Sequence, residues 1–161
     1  MEIYTIGYGN RAIGDFVALL KRYGIQAVID ARSIPYSRFR SDYRKKLFQS
    51  HLEGAGIDYR YMGEPLGGKL LDPQYVVDGK LDVERLQERA DVRSALDQIE
   101  ASVRAGEYLA LMCAELRPEQ CHRAWMLAPM MLNRGINVQH IDERGELKTQ
   151  DQLNVPKGPV A

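Results

Sequence analysis

The chain has 161 residues, 45% of them apolar and 27% charged, which suits one globular domain with one core. Its 22 basic and 22 acidic side chains cancel, which disfavours a dedicated nonspecific nucleic-acid binder, since such proteins carry a basic excess. No apolar run approaches the ~20 residues that cross a bilayer, Glu2, Gly7 and Asn10 spoil any leader, and two cysteines make no disulfide scaffold, so the expectation is a cytoplasmic protein without membrane contact.

Five apolar runs of strand length, at residues 3–6, 25–29, 57–61, 108–113 and 136–141, alternate with helix-like stretches. Ile13, Phe16, Val17, Leu19 and Leu20 recur at helical spacing after the first run, and Leu47, His51 and Leu52 do so before Gly54 and Gly56. Residues 62–80 break the rhythm with Gly63, Pro65, Gly67, Gly68, Pro73 and Gly79, and read as a long irregular excursion of the sort that forms lids or binding edges. Leu86, Ala90, Leu96, Ile99 and Val103 predict a third helix ending at Gly106. Pro118 opens a fourth, which runs to about Asn133 and should kink at Pro129, where a backbone donor is missing. Residues 1–145 form the domain in this reading, and 146–161 a polar C-terminal tail.

This alternation predicts a single-domain, three-layer α/β fold, Rossmann-like, around a mainly parallel five-stranded sheet. Sites in such sheets lie beyond the carboxyl ends of strands where the order reverses. Gly7, Tyr8 and Asn10 follow the first run, Asp30 and Arg32 close the second, and Cys113 and Glu115 close the fourth. A site shared by these ends predicts strand order 3-2-1-4-5, with the crevice between strands one and four.

The densest chemistry lies in residues 113–123, which hold both cysteines and one of three histidines. Cys121, in the first helical turn after Pro118 and next to His122 and Arg123, is a candidate nucleophile, because helix-start donors and cations favour a thiolate. Packing of Cys121 with Trp125, Ala128 and Leu132 is the competing reading. Cys113 shares its strand face with Leu109 and Leu111 and supports the site from there. A Cys113–Cys121 bridge is a further arrangement, although the spacing is not that of a C-x-x-C redox motif. A zinc site from Cys113, Cys121 and His122 lacks ligands, and no metal is expected. Glu115 and His122 are the candidate acid–base groups, and His140 a supporting one.

Residues 32–46 carry six basic side chains (Arg32, Arg38, Arg40, Arg44, Lys45, Lys46) against Asp42 alone. Arg32 and Arg38, with the Ser37 hydroxyl and Arg123 from the fourth helix, suggest an anion pocket, and phosphate suits their planar forks. Asp30 would orient an arginine. Gly7, Gly9 and Ala12 only loosely echo a dinucleotide fingerprint, so no cofactor is expected.

The chain resembles the bacterial and archaeal family catalogued as domain of unknown function 488. The matching residues are Thr5-Ile6-Gly7 with Asn10, Asp30-Ala31-Arg32 with Pro35 and Ser37-Arg38, Tyr59, Leu66-Gly67-Gly68, Cys113-Ala114-Glu115 with Pro118, Cys121-His122-Arg123, and His140-Ile141. The family commonly has histidine and serine at Tyr8 and Gly9, and valine at Ala31. The resemblance implies a compact α/β domain with polar motifs at one end, and leans towards nucleotide or nucleic-acid chemistry. The leading expectation is an enzyme acting on a phosphate-bearing substrate, such as a nucleotide or nucleic-acid end. The alternative is a noncatalytic module that binds nucleic acid or an acidic partner through residues 32–46. A two-fold homodimer is the ordinary expectation for association.

Overall fold

The computed structural model describes residues 1–68 and 73–155. Its strands are β1 (Glu2–Gly7), β2 (Ala27–Asp30), β3 (Asp58–Tyr61), β4 (Val76–Val77), β5 (Lys80–Leu81), β6 (Leu109–Cys113), β7 (Asn137–Ile141) and β8 (Leu147–Thr149). The helices are α1 (Ile13–Arg22), α2 (Lys45–Gly54), α3 (Gly63–Leu66), α4 (Val83–Gln87), α5 (Ala90–Arg104) and α6 (Ala128–Asn133). Together they form the three-layer α/β fold with a mainly parallel sheet. Alternation along the strands supplies two cores. Leu109 and Leu111 of β6 face α4, α5 and α6, whereas Ala110 and Met112 face Phe16 and Leu20 of α1 and Phe48 and Leu52 of α2. No helix among the described residues is long and apolar enough to cross a membrane.

The strand order departs from 3-2-1-4-5. The sheet runs β3-β2-β6-β1-β7-β8, so the fourth apolar run lies between the second and the first. Leu109–Cys113 is buried at every position and apolar on both faces, which suits the centre of the sheet. β1 pairs parallel with β6 on one side and β7 on the other, and thereby carries Thr5 to His140.

A sixth strand comes from the stretch expected to be tail. Asp142 accepts the backbone N–H groups of Arg144 and Glu146 through one carboxylate oxygen, each at 2.9 Å, and Gly145 takes a positive φ of 79°. This turn folds β8 back antiparallel onto β7. The structured domain therefore extends past residue 145. The Pro156-Lys157-Gly158-Pro159 tail and positions 69–72 of the excursion lie outside the described residues. The rest of the excursion holds α3, a 3-10 turn at Pro73–Tyr75 and the β4–β5 hairpin. The third expected helix is broken into α4 and α5, with Arg89 extended between them.

The fourth expected helix is also subdivided. Pro118–Gln120 is a 3-10 turn, Cys121 is extended, Arg123–Leu127 is a π-helix, and α6 follows. Pro129 has no N–H to return to the preceding turn, and that turn is the widened, π-helical one.

Beneath this segment runs a buried chain of hydrogen bonds with an assignable direction. Gln150 Nε2 donates to the Ala124 carbonyl at 2.7 Å, which leaves Gln150 Oε1 to accept from His140 Nε2, also at 2.7 Å. His140 Nδ1 then accepts the Thr5 hydroxyl at 2.7 Å, and Thr5 Oγ1 accepts from Arg123 at 3.1 Å. His140 is neutral in this arrangement, and burial lowers its pKa from 6.5 to about 4. The unfolded chain binds a proton near 6.5 that the fold resists until about 4, so stability present at neutral pH is lost as pH falls through that interval. His140 should account for on the order of 3 kcal/mol of that loss. Urea titrations from pH 7 to pH 4 should show a shallower decline for His140→Gln than for the parent, and equal slopes would refute the assignment.

Candidate functional site

The carboxyl ends of β2 and β6 open onto a cavity of about 680 Å³. Among the residues expected to form a site, Arg32, Arg38, Cys113, Glu115, Cys121 and His122 line it. Ser33, a further hydroxyl donor expected from the sequence, lines it as well, and so do Tyr36, Gln120 and Trp125, which had not been singled out for chemistry. Trp125, the sole tryptophan, was assigned to a packing stripe, yet it meets the His122 ring edge-on with centroids 6.3 Å apart. Pro35 was the available signal for Tyr36, since a turn there carries the next side chain outward.

Cys113 and Cys121 are joined as a disulfide at this cavity. Cys121 is not in the first turn of a helix, as expected. It is the extended residue before the π-helical turn, and its carbonyl accepts the Ala124 N–H at 3.0 Å. Cys121 Sγ lies 3.4 Å from His122 Nδ1. The other ring nitrogen, Nε2, is 3.0 Å from the carbonyl of Ala31, which only accepts, so Nε2 carries the proton and Nδ1 presents a lone pair to the sulfur. Burial holds the His122 pKa down at about 4. Cys113 Sγ is 3.7 Å from the Glu115 carbonyl oxygen.

The arginines divide sharply. Arg32 is buried, and its fork is spent on Asp30 through Nε and Nη2, each at 2.9 Å, while Nη1 donates to the Tyr43 carbonyl at 2.6 Å. Its guanidinium also lies 5.4 Å from the Tyr8 ring centroid and 5.7 Å from that of Phe48. The Tyr59 hydroxyl donates to the same Asp30 carboxylate at 2.5 Å. Arg123 is fully buried, away from the cavity lining, and donates to Thr5 and to the carbonyls of Ile141, Leu116 and Glu115. Burial lowers its pKa. Both were expected to bind an anion; Arg32 lines the cavity while paired to Asp30, and Arg123 lies buried behind the lining. Arg38 is exposed on the rim, with its guanidinium 5.3 Å from the Phe39 ring and no hydrogen-bond partner for it among the described residues. The Glu115 carboxylate is likewise exposed and unpaired among them.

The remaining candidates stand apart from the cavity. Ser37 accepts the Arg40 N–H at 3.2 Å, Asn10 is exposed on the loop after β1, and His140 belongs to the buried relay. Gly7 packs where a Cβ would run into the Glu115 carbonyl oxygen, so it sets the path of the loop after β6. Gly68 sits against the His122 ring, where a Cβ would stand 3.0 Å from Cγ. No cluster of three potential metal ligands occurs among the described residues.

The family model described as "Domain of unknown function DUF488" matches residues 12–128, most of the chain. The chain belongs to the DUF488 family. The match includes the Asp30–Arg32 pair, Arg38 and the whole 113–123 segment, whereas β1 with Gly7 and Tyr8 and β7 with His140 fall outside it. No curated protein and no solved structure matches this DUF488 chain significantly.

The contrast between the two kinds of arginine is measurable. Arg123→Met removes the donor to the Leu116 carbonyl and to Thr5 Oγ1 in the interior, and should cost about 3 kcal/mol in stability. Arg38→Met should leave stability within about 0.5 kcal/mol of the parent. Chemical denaturation of the two variants would expose the assignment as wrong if Arg38→Met proved the more damaging.

Proposed function

We propose that this protein is an enzyme acting on a phosphate-bearing substrate, such as a nucleotide or a nucleic-acid end, bound in the cavity between the loops that follow β2 and β6. The observation that carries this reading is the meeting of Cys121, His122, Glu115 and Arg38 around one cavity. With the cysteine pair reduced, the Cys121 S–H points its proton at His122 Nδ1, whose acceptor role is fixed by the Nε2–H bond to Ala31. Transfer of that proton produces the thiolate nucleophile and an imidazolium beside it. Arg38, whose fork has no carboxylate partner among the described residues, holds the phosphate at the rim. Glu115, across the cavity wall, gives a proton to the departing oxygen and afterwards takes one from water. Arg32 contributes by fixing Asp30 and the start of the loop rather than by touching the anion.

A noncatalytic nucleic-acid module is favoured by a different observation. Phe39 is 87% exposed and Tyr36 52% exposed, and both alternate with Arg38, Arg40 and Arg44. Exposed rings among cations suit base stacking along a charged strand.

Both readings are separable with reduced protein, a panel of nucleotides and 5′-phosphorylated oligonucleotides. Enzyme action predicts turnover of one panel member, lost in Cys121→Ser and lowered ~100-fold or more in Glu115→Gln, with Arg38→Ala weakening substrate binding at least ~10-fold. Full turnover in both Cys121→Ser and Glu115→Gln would end the mechanism. Salt-sensitive oligonucleotide binding without turnover, abolished by the Tyr36→Ala, Phe39→Ala double variant, would establish the module instead.

A further inference from the structure

We propose that Cys113 and Cys121 are a reversible, hydroperoxide-oxidised thiol couple, with Cys121 as the attacking sulfur and Cys113 as the sulfur that resolves it. This rests on the reading of Cys121 as the reactive thiol of the cavity. Both cysteines are nearly buried, yet both line the cavity and neither belongs to the two apolar clusters, so the cavity is the side from which a small oxidant or reductant would approach the bond. Their surroundings differ in the direction such a couple needs. Cys121 faces the lone pair of His122 Nδ1, a proton acceptor, while Cys113 faces the Glu115 carbonyl, which accepts a hydrogen bond from the thiol form and does nothing for a thiolate. One sulfur is therefore set to ionise and the other to stay protonated. Their positions differ as well: Cys113 closes the central strand, whereas Cys121 sits in an extended residue between a 3-10 turn and a widened helical turn.

The reaction balances without any bound group. The Cys121 thiolate attacks one oxygen of a hydroperoxide, an S–O bond forms, the O–O bond breaks, and the released alkoxide or hydroxide leaves as alcohol or water after gaining a proton. Cys121 is then a sulfenic acid, two electrons more oxidised than the thiol. The Cys113 thiol attacks that sulfur, the S–S bond forms, the S–O bond breaks, and water departs. A small thiol or dithiol reverses the change by exchange, in which the disulfide gains two electrons and the reductant becomes the disulfide. Formation of the bond consumes the nucleophile of the proposed reaction. It also diverts the sulfenic acid from the irreversible sulfinic and sulfonic states.

The test uses the full chain, hydrogen peroxide and no substrate. Protein reduced with dithiothreitol and then given one equivalent of peroxide should lose two hydrogens by intact mass, with the Cys113 and Cys121 peptides recovered as one cross-linked species. Cys113→Ser and, as a second background, Cys113→Ala should stop at a sulfenic acid on Cys121 that dimedone traps. Cys121→Ser should consume peroxide at least ~10-fold more slowly, and His122→Asn should slow oxidation of Cys121 without altering alkylation of Cys113. Equal peroxide rates in Cys113→Ser and Cys121→Ser would overturn the division of roles. A bond that dithiothreitol cannot open until the protein is denatured would overturn the couple itself. The two readings fail separately: a working couple in a protein whose Cys121→Ser variant keeps full turnover would remove the enzyme mechanism, whereas substrate turnover through Cys121 with no peroxide-formed bond would remove the couple.

Discussion

The buried guanidinium of Arg123 is the constraint on which the site depends. It reaches Thr5 on β1, the Ile141 carbonyl at the end of β7, and the Glu115 and Leu116 carbonyls after β6, and so ties three strand ends to the start of the last helical segment. A desolvated cation is costly unless its donors are met, and here carbonyl dipoles and one hydroxyl meet the two Nη groups, while Nε stays buried without a hydrogen-bond partner among the described residues. Its position follows from local geometry. Cys121 is extended and the next turn is π-helical, so residue 123 points under the β6 loop rather than into the cavity. The same bonds fix how the loop leaves Cys113, and therefore where Glu115 and both sulfurs lie.

The topology explains which of the crevices beside β6 is open. The connection after β6 packs on the α5–α6 side of the sheet, while those after β1 and β2 cross on the α1–α2 side. β6 is thus flanked by two candidate switch points, one on each side. The crevice towards β1 is sewn shut. Tyr8 N–H bonds to the Cys113 carbonyl at 3.2 Å and Gly9 N–H to that of Ala114 at 2.9 Å, and Gly7 lies against the Glu115 carbonyl. Towards β2, the backbone bond from Ala31 N–H to the Met112 carbonyl is followed by divergence of the two chains, and the cavity occupies that divergence. The expected crevice between strands one and four is therefore the closed one.

Much of this was legible in the sequence. Apolar runs marked five of the six strands of the main sheet, and the density of thiols, imidazole and carboxylate in residues 113–122 coincides with the cavity wall. Strand order was hidden because β1, β2 and β6 are all short and apolar, and only their mutual burial ranks them. The roles of the arginines were hidden for another reason: identical side chains acquire opposite tasks from their neighbours. Asp30 was expected to orient an arginine, and its place two residues from Arg32, at a strand end and on one face, could have shown which one. Nothing in the sequence announces Arg123 as an interior group, because its burial depends on the extended residue before it. The short strand β8 escaped notice because three residues carry too little alternation to rise above a polar tail.

His122 joins the two halves of the cavity. Its Nε2–H is held by the backbone that leaves β2, and its Nδ1 faces the sulfur carried by the chain that returns after β6. The Gly68 backbone lies against the ring, and Trp125 meets its edge, so the imidazole has little freedom to turn. With the sulfurs joined, burial dominates, opposed by the Ala31 and Leu66 carbonyls and assisted by the Arg123 charge, and the ring pKa falls to about 4. A thiolate at Cys121 would supply a negative charge and favour the imidazolium. Ionisation of the thiol and protonation of the ring are thus one event shared by two groups, and the state of the sulfur–sulfur bond decides whether that event can occur at all.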